Sequence, residues 1–398
     1  MSVILELTAP DPVIARDGRP FGIGQGNRMR GLSWLLPSVV AGSFRTALVT
    51  ATPGLDFTGD MPRRLQQVAV AGVFPSHDGE LYLPAPLDCV WKQKDDPKGE
   101  QERGQILRAA PQPLDGDSGT DLPAGLQPVM LSRAQAAEDF KPATPPAWWP
   151  KTKFVDWLTT TLDVRDSDWF TAEFLRAPQP VMRDHVALDP GRGAAAESLI
   201  YATANLNVDY LPRHVAKETD QQATNISNRF AAVQLSARVT VPASSGLALP
   251  NPFRIWHPLG GERRLVHWQR CPRDVNGWAC PAEVRAALAN ATQVRLILAT
   301  PAIFRHGWRP DLDNGPLRGF GLKLVGACTG RWRAVSGWSL AMPIGPKPIR
   351  RLVPAGSVYF FRCDQGAAAA LADSWLQPIS DDEQEQRDGF GLALWGIW

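Results

Sequence analysis

Proline and glycine punctuate this chain so densely that a long helical bundle cannot be built from it. There are 36 prolines and 34 glycines among 398 residues, about a sixth of the chain. Proline fixes φ and removes a backbone donor, glycine frees φ, and both interrupt regular elements. The chain is therefore directed to turns, short strands and a few helices. A coiled coil and a collagen are excluded, and no short-period repeat points to a solenoid. Hydrophobic residues make up 44%, enough for a packed core and too many for a wholly disordered chain. The length allows two or three domains at ~150 residues each.

No apolar run approaches the ~18 residues of a membrane span. The opening MSVILELTAPDP has no basic leader, long apolar core or small-residue cleavage site. The expectation is a cytoplasmic protein with no membrane partner. The five cysteines (Cys89, Cys271, Cys280, Cys328 and Cys363) are odd in number and scattered. They form no C-x2-C pair, so each reads as a free thiol rather than part of a zinc site or disulfide framework. No cofactor or metal is indicated.

Residues 3–7 read as an opening strand, followed by a loop rich in glycine and arginine to about residue 36. Helical spacing then runs through 39–49, with Ser38 as its expected N-cap. Strands are expected at 68–74 and 80–83 about a turn at 75–79. Residues 92–124 read as a solvated insertion and 141–150 as a proline-stiffened connector. One or two helices are expected in 151–176, and strands at 181–188 and 198–205 about the turn 189–193. Residues 211–228 read as a polar loop. Beyond it strands are expected at 230–241, 264–268 and 293–299, with helices at 281–290 and near 365–376. Mixed short strands and a few helices, twice over, make two α+β domains. Their boundary is placed at 215/216, giving 1–215 with a 92–150 insertion and 216–398.

The charge is segregated although the net is only +2. Between Asn314 and Cys363 stand eight basic residues and no acid. Between Pro12 and Leu55 stand Arg16, Arg19, Arg28, Arg30 and Arg45 against Asp17 alone. Acids collect in 92–121 and 381–388. Two basic segments, one per half, would suit a shared polyanionic partner. Strands that simply alternate arginine out and apolar residues in give the same map. Gly18, Gly22, Gly24 and Gly26 lie among the first set of arginines, where exposed N–H groups can approach an anion, although an ordinary surface loop has this pattern too. The glycines match neither a P-loop nor a dinucleotide fingerprint. In Gly345-Pro346-Lys347-Pro348-Ile349-Arg350-Arg351 the prolines hold cations on an extended backbone. Tyr359-Phe360-Phe361 follow, as stacking rings or as core.

Catalytic patterns are sparse. No H-E-x-x-H, G-x-S-x-G or G-G-D-D occurs. Asp184-His185 sets a histidine beside an acid, but on a strand the two point to opposite faces. His185 reads as structural, with metal-free phosphate chemistry left open.

Several segments in order carry a resemblance: Arg16-Asp17-Gly18-Arg19-Pro20-Phe21 after the first strand, and Leu36-Pro37-Ser38-Val39-Val40-Ala41-Gly42-Ser43-Phe44-Arg45-Thr46 at the first helix. Next come His185-Val186-Ala187-Leu188-Asp189 before a glycine turn, Leu298-Ala299-Thr300-Pro301-Ala302-Ile303-Phe304, Gly307-Trp308, the 346–357 segment, and the glycine-rich end 389–396. Together they cover about a third of the chain. The set resembles the third RAMP-family subunit of type III-B CRISPR (Cmr) effector complexes. The 92–150 insertion has no counterpart in it. The resemblance implies two tandem ferredoxin-like (RRM-like) domains and a non-enzymatic subunit. Such a subunit would hold the 5′ tag of the CRISPR RNA and bridge the large polymerase/cyclase-type subunit to the backbone RAMP subunits, meeting target RNA only indirectly. The implied RNA-binding residues are Arg16, Gly18, Arg19, Arg28, Arg30, Arg45, His185, Lys347, Arg350 and Arg351. Asp17 is expected to orient Arg19 or cap a turn. The terminal glycines would allow close backbone approach, to RNA or to other strands. The rival readings are a metal-independent RAMP-type endoribonuclease processing CRISPR repeat RNA, and a protein-interaction module anchored by tryptophans such as Trp148, Trp149, Trp395 and Trp398.

Overall fold

The computed structural model describes residues 2–17, 29–94, 103–114, 116–136, 140–160, 164–165, 173–214, 229–271, 276–340 and 343–398. The opening apolar run forms strand β1 (Ser2–Thr8), and the next element is helix α1 (Pro37–Ala51). Leu36, not Ser38, is the N-cap residue, and no side chain caps the helix. Pro37 takes the first helical position, where its missing N–H is no loss and its φ is already helical. Ser38 is thereby drawn into the first turn. Val40, Phe44, Ala47 and Leu48 bury one face of α1 in a core with Leu5, Leu7, Leu235 and Trp268. The other face, around Val39, Gly42 and Thr46, is left accessible.

Strands β2 (Ala69–His77) and β3 (Glu80–Pro84) make a hairpin. Its turn is tighter than expected. Only Asp78 and Gly79 form it, with φ of 51° and 82°, the left-handed pair that matches the twist of two-residue hairpins. Pro75 and Ser76 are consequently paired within β2.

Part of the 92–150 segment is folded. β4 (Cys89–Lys94) pairs with β5 (Arg103–Arg108), and β6 (Trp148–Pro150) adds to β3. Helix α2 (Lys151–Thr159) follows at once. Trp91, Ile106 and Leu107 are buried, an apolar pattern masked in the sequence by the surrounding lysines and glutamines. Trp148, Trp149 and Trp395 are buried too, so these rings are core and not partner anchors. β7 (Pro180–Asp189) and β8 (Ala194–Leu206) form the expected hairpin as a separate two-stranded sheet.

β9 (Gln234–Thr240), β10 (Arg254–Pro258) and β11 (Leu265–Arg270) complete the first sheet, in the order β10-β11-β1-β9-β2-β3-β6. A division at 215/216 therefore separates β9, β10 and β11 from the sheet they belong to. The hydrogen-bonded ladder β1–β9, with six residue pairs from Ser2↔Thr240 to Leu7↔Leu235, spans that boundary.

The C-terminal part starts with helix α3 (Ala282–Leu288), whose N-cap residue is Pro281. Then come β12 (Gln293–Leu298), β13 (Lys323–Cys328), β14 (Arg333–Val335), β15 (Trp338–Ser339), β16 (Gly345–Pro346), β17 (Arg350–Leu352) and β18 (Val358–Arg362). The helix expected near 365–376 is a 3-10 helix, Ala367–Ser374, bounded by Gly366 at φ 81° and an extended Trp375. Short helix α4 (Glu383–Arg387) and strand β19 (Ala393–Ile397) close the chain. The second sheet runs β13-β18-β12-β19. β14 pairs with β17 and β15 with β16, so 333–352 is an arm of two small ladders. Tyr359, Phe360 and Phe361 on β18 are fully buried, so they are core and offer no ring to a partner.

The two sheets share one arrangement. The first strand of each set (β1, β12) lies between the last (β11, β19) and the third (β9, β18), and the second (β2, β13) lies beyond the third; every contact is antiparallel. Among the described residues no helix is long and apolar enough to cross a membrane.

Candidate nucleic-acid interface

The arginine-glycine loop after β1 has a built neck. Leu32 donates its N–H to the Ala15 carbonyl at 2.9 Å, and Asp17 to that of Arg30 at 3.4 Å. Arg16 and Arg30 stand exposed at this neck. Gly18, Arg19 and Arg28 lie outside the described residues, as does any contact between Arg19 and Asp17. The neck also roots the β7–β8 hairpin, since Val13 and Leu206 exchange two backbone bonds of 2.9 and 2.8 Å and Met29 donates to the Ala202 carbonyl at 2.9 Å.

Next to the neck lies a cleft of about 650 Å³. Its walls are the accessible face of α1, the β10–β11 turn with His257 and Gly260, and residues 336–340 and Lys347 of the arm. Arg16, Arg45 and Lys347 all line it. Cations from both halves of the sequence are thus brought together, which the charge map alone left open.

Not all of that charge is available. Arg45 is buried, and its Nη1 meets Asp388 Oδ1 at 2.5 Å while Nε and Nη2 donate to the Val68 carbonyl at 3.1 and 2.8 Å. A guanidinium so fully engaged holds the fold together and leaves no donor pair for a phosphate. Lys347 Nζ lies 3.4 Å from Asp388 Oδ2 but keeps 38% of its side chain exposed. Asp388 is carried to this point by Gly389. A Cβ there would meet the Val70 carbonyl oxygen at 2.4 Å, and its φ is 89°. Only glycine lets the chain press so closely on β2. Gly396 likewise backs onto the Leu158 carbonyl at 2.6 Å. For these two positions the close approach is to the chain's own backbone.

On the arm, Arg350 Nη2 pairs with Glu385 Oε1 at 2.8 Å. Burial raises Glu385 to a pKa of about 7, and Arg350 only partly offsets it. Its second oxygen is buried with no hydrogen-bond partner among the described residues. Arg351 is exposed and sits 4.9 Å from the Trp332 ring centroid. Arg16 and Arg351 make no ion pair among the described residues. Trp332 is 54% and Trp338 63% exposed. These are the open rings beside the basic segment that sequence reading missed. Part of the signal was present, since Trp332 stands between Arg331 and Arg333.

His185 does not line the cleft. Its ring stacks on Tyr201 at 4.9 Å and 9°, and Nε2 is 2.9 Å from the Thr203 hydroxyl. Glu262 Oε1 lies 3.9 Å away. In the cleft lining His257 Nε2 and Thr46 Oγ1 are 2.7 Å apart, and burial lowers the His257 pKa, favouring the neutral ring.

Against this geometry, a model of the CRISPR-associated protein (Cas_Cmr3) family matches residues 5–398. No curated protein matches the chain in sequence. Among solved structures it is similar to a chain in the cryo-EM structure of the Type III-B Cmr-beta bound to cognate target RNA and AMPPnP, with 11% identity, a TM-score of 0.44, and coverage of 90% of this chain and 86% of that one. A chain of the Csm3-Csm4 subcomplex of the type III-A CRISPR-Cas interference complex gives 8% identity, a TM-score of 0.32, and coverage of 92% and 94%.

Proposed function

Since the chain belongs to the Cas_Cmr3 family of CRISPR-associated proteins, we propose that it is the non-catalytic RNA-binding subunit of a type III-B effector complex. It holds the 5′ tag of the CRISPR RNA and bridges the large polymerase/cyclase-type subunit to the RAMP backbone. The observation that carries this reading is the convergence of Arg16, from the first basic segment, and Lys347, from the second, on one cleft. A single strand presents dense phosphates and unpaired bases, and its recognition combines cations with open aromatic rings. The arm supplies both in Arg351, Trp332 and Trp338. The repeated strand arrangement supports two ferredoxin-like units, with residues 78–233 inserted between β2 and β9 of the first.

RNA crosslinking and mass spectrometry on the assembled complex tests this. Crosslinks are expected in peptides bearing Arg16, Trp332 or Trp338, and their confinement to other faces overturns the reading. On this account His185 is a packing residue of the β7–β8 hairpin, and repeat RNA incubated with the purified chain in chelator stays intact. Cleavage that disappears in His185→Ala would replace the proposal with a metal-independent nuclease.

A further inference from the structure

We infer that the cleft lined by Trp338 receives one unpaired nucleobase of the bound RNA. The inference rests on the RNA-binding reading above and adds the class of group that this cleft accepts. A phosphate is poorly served inside it. Arg45, the cation set into its wall, is spent on Asp388 and the Val68 carbonyl. Three of the nearby hydroxyls are spent as well. Ser43 donates to the Pro258 carbonyl at 2.7 Å, Ser336 to that of Lys347 at 2.7 Å, and Thr46 is bonded to His257. What stays open is apolar surface, the indole of Trp338 and the bare backbone at Gly42, with Arg16 and Lys347 supplying charge.

Gly42 is informative because packing does not demand it. A Cβ at that position would meet nothing within 4 Å, yet glycine interrupts the middle of α1. The absent side chain widens the cleft. Its volume of about 650 Å³ lies within the ~300–1,000 Å³ of clefts that hold small-molecule groups. An aromatic shelf, an apolar wall and flanking cations suit a base that has left its stack while its phosphates stay outside. With most of the nearby hydroxyls engaged, stacking is the main contact the cleft offers a base.

The test is a scan of single abasic positions through a tag-bearing RNA, measured by binding to the wild-type chain and to Trp338→Ala and Trp338→Phe. Base stacking contributes ~1–3 kcal/mol. One abasic position should therefore weaken wild-type binding by about five- to a hundred-fold. The same abasic position should cost Trp338→Ala almost nothing further, and Trp338→Phe should keep most of the affinity. The dependence on salt should be the same for wild type and Trp338→Ala, because no phosphate contact is lost. Matching thermal melts exclude misfolding, as expected for a mostly exposed ring. The inference is overturned if no abasic position couples to Trp338, or if Trp338→Ala binds every RNA as wild type does. If Arg16→Glu and Arg351→Glu still weaken binding in that case, the RNA-binding reading stands and only the base cleft falls. If they too are without effect, both fall.

Discussion

At the scale of single residues, the decisive fact is which cations already have a partner. Arg16, Arg45, Lys347, Arg350 and Arg351 are alike in sequence, but three of them face acids of 381–388. Arg45 and Asp388 are 343 positions apart, and no local pattern reveals such a pair; both charge clusters were legible, but not their contact. Charge reversal at Arg350 would set two carboxylates together at Glu385, so Arg16 and Arg351 are the cleaner sites. Gly42→Ala should stabilise the protein, since alanine exceeds glycine in a helix interior by ~1 kcal/mol, and it should also weaken RNA binding by narrowing the cleft. Thermal melts and a binding titration on the same variant read both. A loss of stability would contradict the open space found there. Glu385 gives a pH signature. Its folded pKa of about 7 lies above the ordinary glutamate value. Its contribution is therefore fully present below that ordinary value and is lost as pH rises toward 7. Glu385→Gln should flatten the Tm profile between pH 5 and 8, and an unchanged profile would show that the carboxyl stays ionised throughout.

At the scale of elements, segments with clean apolar periodicity and strong turn chemistry could be read directly. α1, the β7–β8 hairpin, β11 and β12 fall close to their expected places. The reading failed where composition masked pattern. β4 and β5 are full of lysine, glutamine and arginine, yet bury Trp91, Ile106 and Leu107. β10 is a short Arg-Ile-Trp-His-Pro edge strand ending at proline, and nothing local marks it. The arm 333–352 holds its shape through two small ladders, with Val335 and Leu352 inward and Arg351 and Trp332 outward. An exposed cation–π pair contributes only ~0.5–1 kcal/mol. Arg351→Glu should therefore leave the melting temperature within a few degrees of wild type while reducing affinity for single-stranded RNA several-fold. A circular-dichroism melt and a titration decide this, and a collapsed fold would give the arginine a structural role.

At the scale of the molecule, a buried ion pair ties the second sheet to the turn between β3 and β4. Arg295 on β12 meets Asp88 at 2.5 Å, both side chains are fully buried, and Trp157 Nε1 donates to the same carboxylate at 3.1 Å. Removing one member of such a pair leaves the other charge unpaired, at a cost of ~3–5 kcal/mol. Asp88→Ala should lower the unfolding free energy by that much, read as a lower denaturant midpoint in a single transition; two separate transitions would show that the sheets unfold independently. Elsewhere Asp388 links α1 to the arm, with Arg45 on one carboxylate oxygen and Lys347 on the other. Neither the joint nor the return of β9–β11 to the first sheet is visible locally, because both are pairings between distant segments. The central claim is that cations from the two halves grip one strand. Its most direct test is the salt dependence of binding to tag-bearing RNA for wild type, Arg16→Ala, Lys347→Ala and the double variant, with Asp388 still paired to Arg45 in each. For a single strand each lost phosphate contact lowers the log–log slope by ~0.7. The account predicts that decrement for each single variant and about twice it for the double, whereas slopes equal to wild type in all three would contradict it.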